Sequence, residues 1–200
     1  MNEHHETHDF DRPYWERHWQ QSHRNGPAPA PNPYLISETR DLKPGTALDA
    51  GCGEGSEARW LAEHGWDVTA ADISAEVLAR AGQIPSHVDW VQADLTSWTP
   101  SQEFDLVMTH YAHPSIPQLA FYDRIAEWVA PGGTLLIVGH LHGDHPAEAT
   151  ATAAGITARL EPAKWAIVTA DEQARTLTAM DGRTVSLHDV IVRATRHQDS

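Results

Sequence analysis

Cysteine is nearly absent from this chain: Cys52 is the only one in 200 residues. No disulfide can form within the chain, which fits a reducing compartment. Lysine is almost as scarce, with Lys43 and Lys164 against twelve arginines. Positive charge is in deficit, and the formal net charge is -14. Such a surface repels phosphate backbones and argues against nucleic acid as a partner. No apolar run approaches the roughly 20 residues that span a bilayer. The first thirty residues are polar and histidine-rich, without the apolar core of a leader. A cytoplasmic protein with no membrane partner is expected. Two hundred residues at 40% hydrophobic content suit one domain with one sizeable core.

What is present is a run of alternating elements. Residues 1–9 lack hydrophobic periodicity, and His4, His5 and His8 lie in what reads as a solvated tail. Residues 11–23 predict a short amphipathic helix, with Tyr14, Trp15, His18 and Trp19 on one face. A proline-rich linker follows at 26–33, then a helix over 34–42. These first 40 residues form a tail, helix and linker with the makings of a lid, and residues 41–200 form the main domain. Strands are expected near 46–50, 68–72, 88–93, 103–110 and 134–140. Helices are expected at 56–64, 74–81 and 116–129, the last stopped by Pro131-Gly132-Gly133. Residues 149–161 also read as a helix. Residues 165–174 and 184–194 predict an antiparallel hairpin turning at Asp181-Gly182. The alternation implies an α/β fold with a doubly wound, mostly parallel sheet and helices on both faces.

The chemistry begins at the first strand's end. Asp49, Gly51, Gly53 and Gly55 alternate with other residues, and Asp72 closes the second strand. Glycine lets the backbone turn tightly and lie against a ligand. A dinucleotide fold would place its third glycine at 56, where Ser56 stands, and Asp49 and Glu54 would repel a pyrophosphate. Carboxylates suit a cofactor bearing an amine and a sulfonium instead. Asp72, about 20 residues past the loop, is placed to take a ribose diol.

The segment Asp49-Ala50-Gly51-Cys52-Gly53-Glu54-Gly55 resembles motif I of the class I S-adenosylmethionine (SAM) methyltransferases. The resemblance covers about residues 41–195 and implies a seven-stranded Rossmann-like sheet closing in a hairpin. It implies that the loop, with Cys52, passes the methionine part of SAM and that Asp72 holds the ribose. It implies that Asp94 takes the adenine amine, with Leu95 beside it, Ile73 on the adenine face and His110 nearby. The chain is similar to small bacterial enzymes of the tellurite-resistance and thiopurine type, whose pattern the phrases after GCGEG and the IVGH strand end fit best, and also to the small O- and N-methyltransferases of secondary metabolism. HYAHP stands after the fourth strand where amide and adenine-amine methylating enzymes carry an Asn-Pro-Pro-type motif, which argues against those acceptors.

Five histidines gather at the strand ends: His110, His113, His140, His142 and His145. One can be a general base for an acceptor hydroxyl or thiol. His140, His142 and Asp144 or His145 can bind a metal that orients a chelating substrate. All can also be ordinary polar loop residues. His110 and His140 end their strands and stand nearest the expected methyl position, with Tyr111 placed to stack on the substrate. Trp15 and Trp19 either cover the cofactor or pack on the sheet edge, and Arg17 is placed to reach a carboxylate. The expected function is methyl transfer from SAM to a small molecule, by a monomer or homodimer. The alternative is a SAM- or metal-binding module without turnover.

Overall fold

The computed structural model describes residues 10–22, 29–141, 150–178 and 184–198. The tail histidines, His142, Asp144, His145 and the Asp181-Gly182 turn lie outside them. In chain order come α1 (Arg12–Gln21), α2 (Pro33–Thr39), β1 (Thr46–Ala50), α3 (Ser56–Glu63), β2 (Asp67–Asp72) and α4 (Ala75–Ala81). There follow β3 (Val88–Gln92), β4 (Phe104–His110), α5 (Gln118–Ala126), β5 (Val129–His140), α6 (Ala153–Thr157), β6 (Trp165–Thr178) and β7 (Thr184–Arg196).

The seven strands form one sheet in the order β3-β2-β1-β4-β5-β7-β6. The first five are parallel, and β7 runs antiparallel between β5 and β6. This is the doubly wound sheet with a terminal hairpin that the alternation predicted. Side chains alternate across it with period two. Leu106, Met108, Leu136, Val138 and Ile191 face one way, joined by Leu35 of α2 and Ala58 and Leu61 of α3. Val107, Leu135, Ile137, Val190 and Val192 face the other, joined by Phe121 and Ile125 of α5 and Ile156 of α6. Strands buried on both faces need the continuous apolar runs seen at 135–138 and 190–192.

Three elements differ from the sequence reading. Pro131-Gly132-Gly133 is not a break before the fifth strand, because β5 already begins at Val129. Val129 pairs with Phe104, the register shifts before Leu106 meets Thr134, and Gly132 absorbs the kink at φ +81°. The helix α5 is correspondingly short. The helix expected over 149–161 is only the five residues of α6, capped by the Thr152 hydroxyl on the Gly155 amide. The hairpin strands are longer than expected because pairing continues from Trp165↔Arg196 to Thr178↔Thr184.

The β1–α3 turn shows why glycine is needed. Gly51 has φ +82°, and a Cβ there would lie 2.4 Å from the Ala112 methyl. Gly55 has φ +74°, with the Trp90 ring 2.2 Å from any added Cβ. Gly51→Ala combines left-handed strain of about 1–2 kcal/mol with a collision. It is expected to lower the melting temperature by several degrees, read by thermal circular dichroism, because no rotamer relieves a methyl against a methyl.

Candidate active site

The carboxyl ends of β1, β2, β4 and β5 open onto one cavity of about 560 Å³. Among the residues expected to hold the cofactor, Gly51, Cys52, Gly53, Asp72, Ile73, Asp94, Leu95 and His110 line it. Tyr111 and His140, expected near the reacting atoms, line it as well. Asp49 and Gly55 are not among the lining residues.

The loop is tied to the second strand. Gly51 and Cys52 donate their amides to the Ala71 carbonyl at 2.8 and 3.0 Å. Asp72 accepts from the Gly53 amide at 2.9 Å through Oδ2 and from the Ser74 amide at 3.0 Å through Oδ1. The acid is thus clamped between loop and α4, facing the cavity. Asp94 accepts from the Thr96 amide and hydroxyl through one oxygen, at 2.9 and 2.6 Å, which fixes its carboxylate. Arg124 holds the loop after it by donating to the Leu95 and Trp98 carbonyls.

Asp49 sits behind the loop, 1% exposed, and its Oδ2 meets no hydrogen-bond partner among the described residues. Burial raises its carboxyl well above the ordinary 3.8, and the charges of Glu57 and Asp72 add to this. Burial also raises Glu57 and Asp72. The charges of Glu57 and Asp72 both act on Asp49 beside the loop, and a cationic ligand in the cavity would relieve that repulsion. Cys52 is buried, and burial raises its thiol well above the usual value, so it is not a nucleophile here.

The described histidines of the rim sit in distinct surroundings. Both ring nitrogens of His110 are shut from solvent and meet no partner among the described residues. Burial lowers its pKa to about 3. It stays neutral near pH 7 and is suited to hydrogen bonding rather than to accepting a proton. His140 packs on Tyr111 with ring centroids 4.6 Å apart and stacks on His113 at 5.4 Å. Tyr111 is held in a left-handed conformation, φ 55°, with its amide donating to the Val138 carbonyl. Its hydroxyl accepts from the Asn32 side chain at 3.4 Å. A bulky residue at positive φ marks a position fixed by its surroundings. Among the described residues, no group of three or more His, Cys, Asp or Glu is placed to hold a metal ion.

The N-terminal helix forms the remaining wall. Tyr14, Trp15, His18 and Trp19 line the cavity, with Phe10 just before the helix. Trp19 lies over Gly53, and the Trp15 indole donates to the His113 carbonyl at 3.1 Å. The tryptophans therefore face the cavity rather than the sheet edge. Arg17 is exposed and absent from the lining. Two reciprocal caps hold α1. Glu16 accepts from the Ser74 hydroxyl and the Ala75 and Glu76 amides at the start of α4. Arg80 of α4 donates to the Trp19 and Ser22 carbonyls at the end of α1. Glu16 is invisible to sequence reasoning, because its partners lie 58 to 60 positions away. Phe10, Thr96, Ser115 and Phe121 also line the cavity without having been expected there.

Residues 47–133 match the methyltransferase domain family. The trans-aconitate 2-methyltransferase of Azoarcus sp. (strain BH72) is 34% identical over 105 residues, which are 50% of this chain and 41% of that protein. The chain thus spans less than half the length of the curated relatives it matches first. Among solved structures, TehB from Haemophilus influenzae superposes with a TM-score of 0.70 at 16% identity, covering 94% of this chain and 67% of that one. The N-methyltransferase NodS from Bradyrhizobium japonicum WM9 gives 0.63 at 19% identity, covering 82% and 93%. The glycine loop and the two strand-end acids that border the cavity all lie within the span that matches the methyltransferase domain family.

Proposed function

We propose that the chain transfers a methyl group from SAM to a small, uncharged acceptor, with His140 taking the acceptor's proton. One observation carries this reading: Gly51, Gly53, Asp72, Asp94, His110, His113 and His140 all border the same cavity. The residues present fit SAM. Asp72 would hold the ribose diol, Asp94 the adenine amine, and the buried carboxyls below the loop would favour the cationic methionine end. SAM supplies a methyl carbon on a positively charged sulfur; the acceptor's lone pair forms the new bond as the carbon–sulfur bond breaks, leaving S-adenosylhomocysteine. The protein contributes mainly alignment and the exclusion of water. His140 accepts the proton released by a hydroxyl or thiol, while His110 stays neutral and hydrogen-bonds to a group in the cavity.

The acceptor is argued from the lining. Among the described residues that border the cavity, none is lysine or arginine, and its side chains are largely aromatic and imidazole. A polycarboxylate such as trans-aconitate would be desolvated there without a cation to receive it, at a cost of several kcal/mol. A phenol or thiol would be stacked and left neutral. Isothermal calorimetry with SAM, followed by S-adenosylhomocysteine formation across uncharged phenols and thiols and trans-aconitate, tests the proposal. No SAM binding ends it, and preferential turnover of trans-aconitate ends the acceptor assignment.

Two further outcomes are expected. Asp49, Glu57 and Asp72 hold protons to higher pH in the folded chain than when unfolded. Their stabilising contribution is present at low pH and fades as pH climbs through their raised values. A cation at the loop favours the ionised forms, so SAM binding should strengthen as pH rises from about 4. Calorimetry in buffers of different ionisation enthalpy should record proton release; uptake would contradict the assignment.

The α1 segment is proposed as a lid over the cofactor. Trp19→Ala should weaken SAM binding by about tenfold through lost aromatic contact, with little change in melting temperature. Unchanged affinity and turnover in that variant would remove the lid.

A further inference from the structure

We propose that Glu16 is a positioning residue for the ribose-binding carboxylate, acting on Asp72 through Ser74, so that docking of α1 and capture of a ribose diol are one coupled event. The inference rests on the proposed role of Asp72 and extends it to a helix outside the sheet.

Two amides fix the Asp72 carboxylate, and α1 touches the residue that supplies each. The Gly53 amide donates to Oδ2 at 2.9 Å, and the Ser74 amide donates to Oδ1 at 3.0 Å. Trp19 packs over Gly53, where an added Cβ would lie 3.5 Å from its ring. Glu16 accepts from the Ser74 hydroxyl at 2.9 Å. Glu16 and Trp19 are three residues apart and share one face of α1. Both donors to Asp72 are therefore held from a single helix.

Ser74 is fully engaged. It is 0% exposed, and its hydroxyl oxygen accepts from the Val77 amide at 3.3 Å while its proton goes to Glu16. The Glu16 carboxylate also accepts from the Ala75 and Glu76 amides at 2.8 and 3.2 Å, so three donors at the start of α4 converge on it. Burial pushes the Glu16 carboxyl up, but the Ala75, Ser74 and Glu76 hydrogen bonds outweigh burial and hold it below the ordinary 4.5. Glu16 is thus charged near pH 7. Its charge is felt at Asp72: burial raises that carboxyl, and Glu16 adds to the effect. Gln92 donates to the Ile73 carbonyl at 3.2 Å from the other side. Residues 72–74 are thus held from β3, from the glycine loop and from α1.

A diol offers two O–H donors to one carboxylate, and such charge-assisted bonds depend on alignment. Undocking α1 removes the acceptor of the Ser74 hydroxyl and the ring over Gly53, which leaves both donors to Asp72 less constrained. By linkage, a ligand that binds the aligned carboxylate better favours docked α1 by the same factor. A nucleoside without the diol has no such preference.

The test compares adenosine with 2′,3′-dideoxyadenosine, which lacks only the diol, on the whole chain. NMR titration gives both affinities for the wild-type chain and for Glu16→Gln. Glutamine keeps the side chain's size, removes its charge and turns an NH2 donor toward the α4 amides. The preference for adenosine is expected to fall about tenfold in Glu16→Gln, and S-adenosylhomocysteine affinity with it. Affinity for 2′,3′-dideoxyadenosine should stay within about twofold of wild type. An unchanged preference overturns the inference even if both affinities fall, because loss of a cover alone weakens both ligands equally. Hydrogen exchange on the wild-type chain gives the reciprocal reading. Saturating adenosine should slow exchange of the α1 amides, and 2′,3′-dideoxyadenosine at equal occupancy should not; equal protection by both overturns the inference. Because α1 contributes no buried residue, Glu16→Gln is expected to fold. Failure of the wild-type chain to bind S-adenosylhomocysteine would remove the SAM reading itself, whereas binding with an unchanged preference removes only the role of Glu16.

Discussion

Asp72→Ala is expected to cost SAM affinity about 100-fold or more, with the fold retained. The carboxylate has three tasks at one point. It is placed to accept from the ribose diol, and it already accepts from the Gly53 and Ser74 amides. Hydrogen bonds to a charged group are worth about 1.5–3 kcal/mol each, and 2.7 kcal/mol is a factor of about 100 in a dissociation constant. Alanine removes the proposed ribose contacts and frees the Gly53 amide, while the Gly51 and Cys52 amides still tie the loop to Ala71, so the site loses some alignment as well as a partner. Asp72 ends its strand, and the core behind it is untouched, so the melting temperature should fall by only a few degrees. Calorimetry with SAM and with S-adenosylhomocysteine, alongside circular dichroism, measures both. An affinity within about threefold of wild type would mean that the ribose lies elsewhere.

His140→Ala is expected to reduce turnover by about 100-fold or more while leaving SAM affinity within about twofold. A general base contributes only when the acceptor's proton must leave, so the loss should be largest for a phenol and smallest for a thiol already ionised. His110→Ala should behave differently. Its ring is neutral near pH 7, with a pKa of about 3, and both its nitrogens are buried and meet no partner among the described residues. Its loss should alter binding more than proton transfer. Equal turnover by the wild-type chain and His140→Ala across a phenol and thiol panel, measured as S-adenosylhomocysteine formed, would remove His140 from the reaction.

The parts of the site that could be read in the sequence are those made by neighbours in the chain. The glycines, Asp72 and Asp94 sit at strand ends, where the period of the strand dictates their placement. His110 and His140 were legible for the same reason, and both border the cavity. Asp49 shows the limit of motif reading: it belongs to the loop's pattern but lies beneath the loop, since a strand residue two positions before the turn points into the fold. Its place behind the cavity wall was decided by packing, which the motif does not spell out. Glu16 was illegible because it depends on a long-range contact, meeting α4 across nearly 60 residues. The early start of β5 was hidden by Pro131-Gly132-Gly133, which locally reads as an end. Pairing with β4 through a shifted register overrode that preference.

The attachment of α1 has a consequence for how the cavity is entered. The helix contributes no buried residue to either core cluster, and its polar links to the body are charge-assisted caps and one indole hydrogen bond. Its detachment therefore exposes little core apolar surface and leaves the sheet intact. In the language of native-state opening, α1 is expected to open as a foldon of its own, at a lower free energy than the strands it covers. Its amides would exchange with solvent while those of β1 and β4 remain protected. If α1 acts as the proposed lid, a ligand enclosed beneath it would gain residence time from two half-buried side chains, Glu16 and Arg80, whose grip weakens as salt screens their charges.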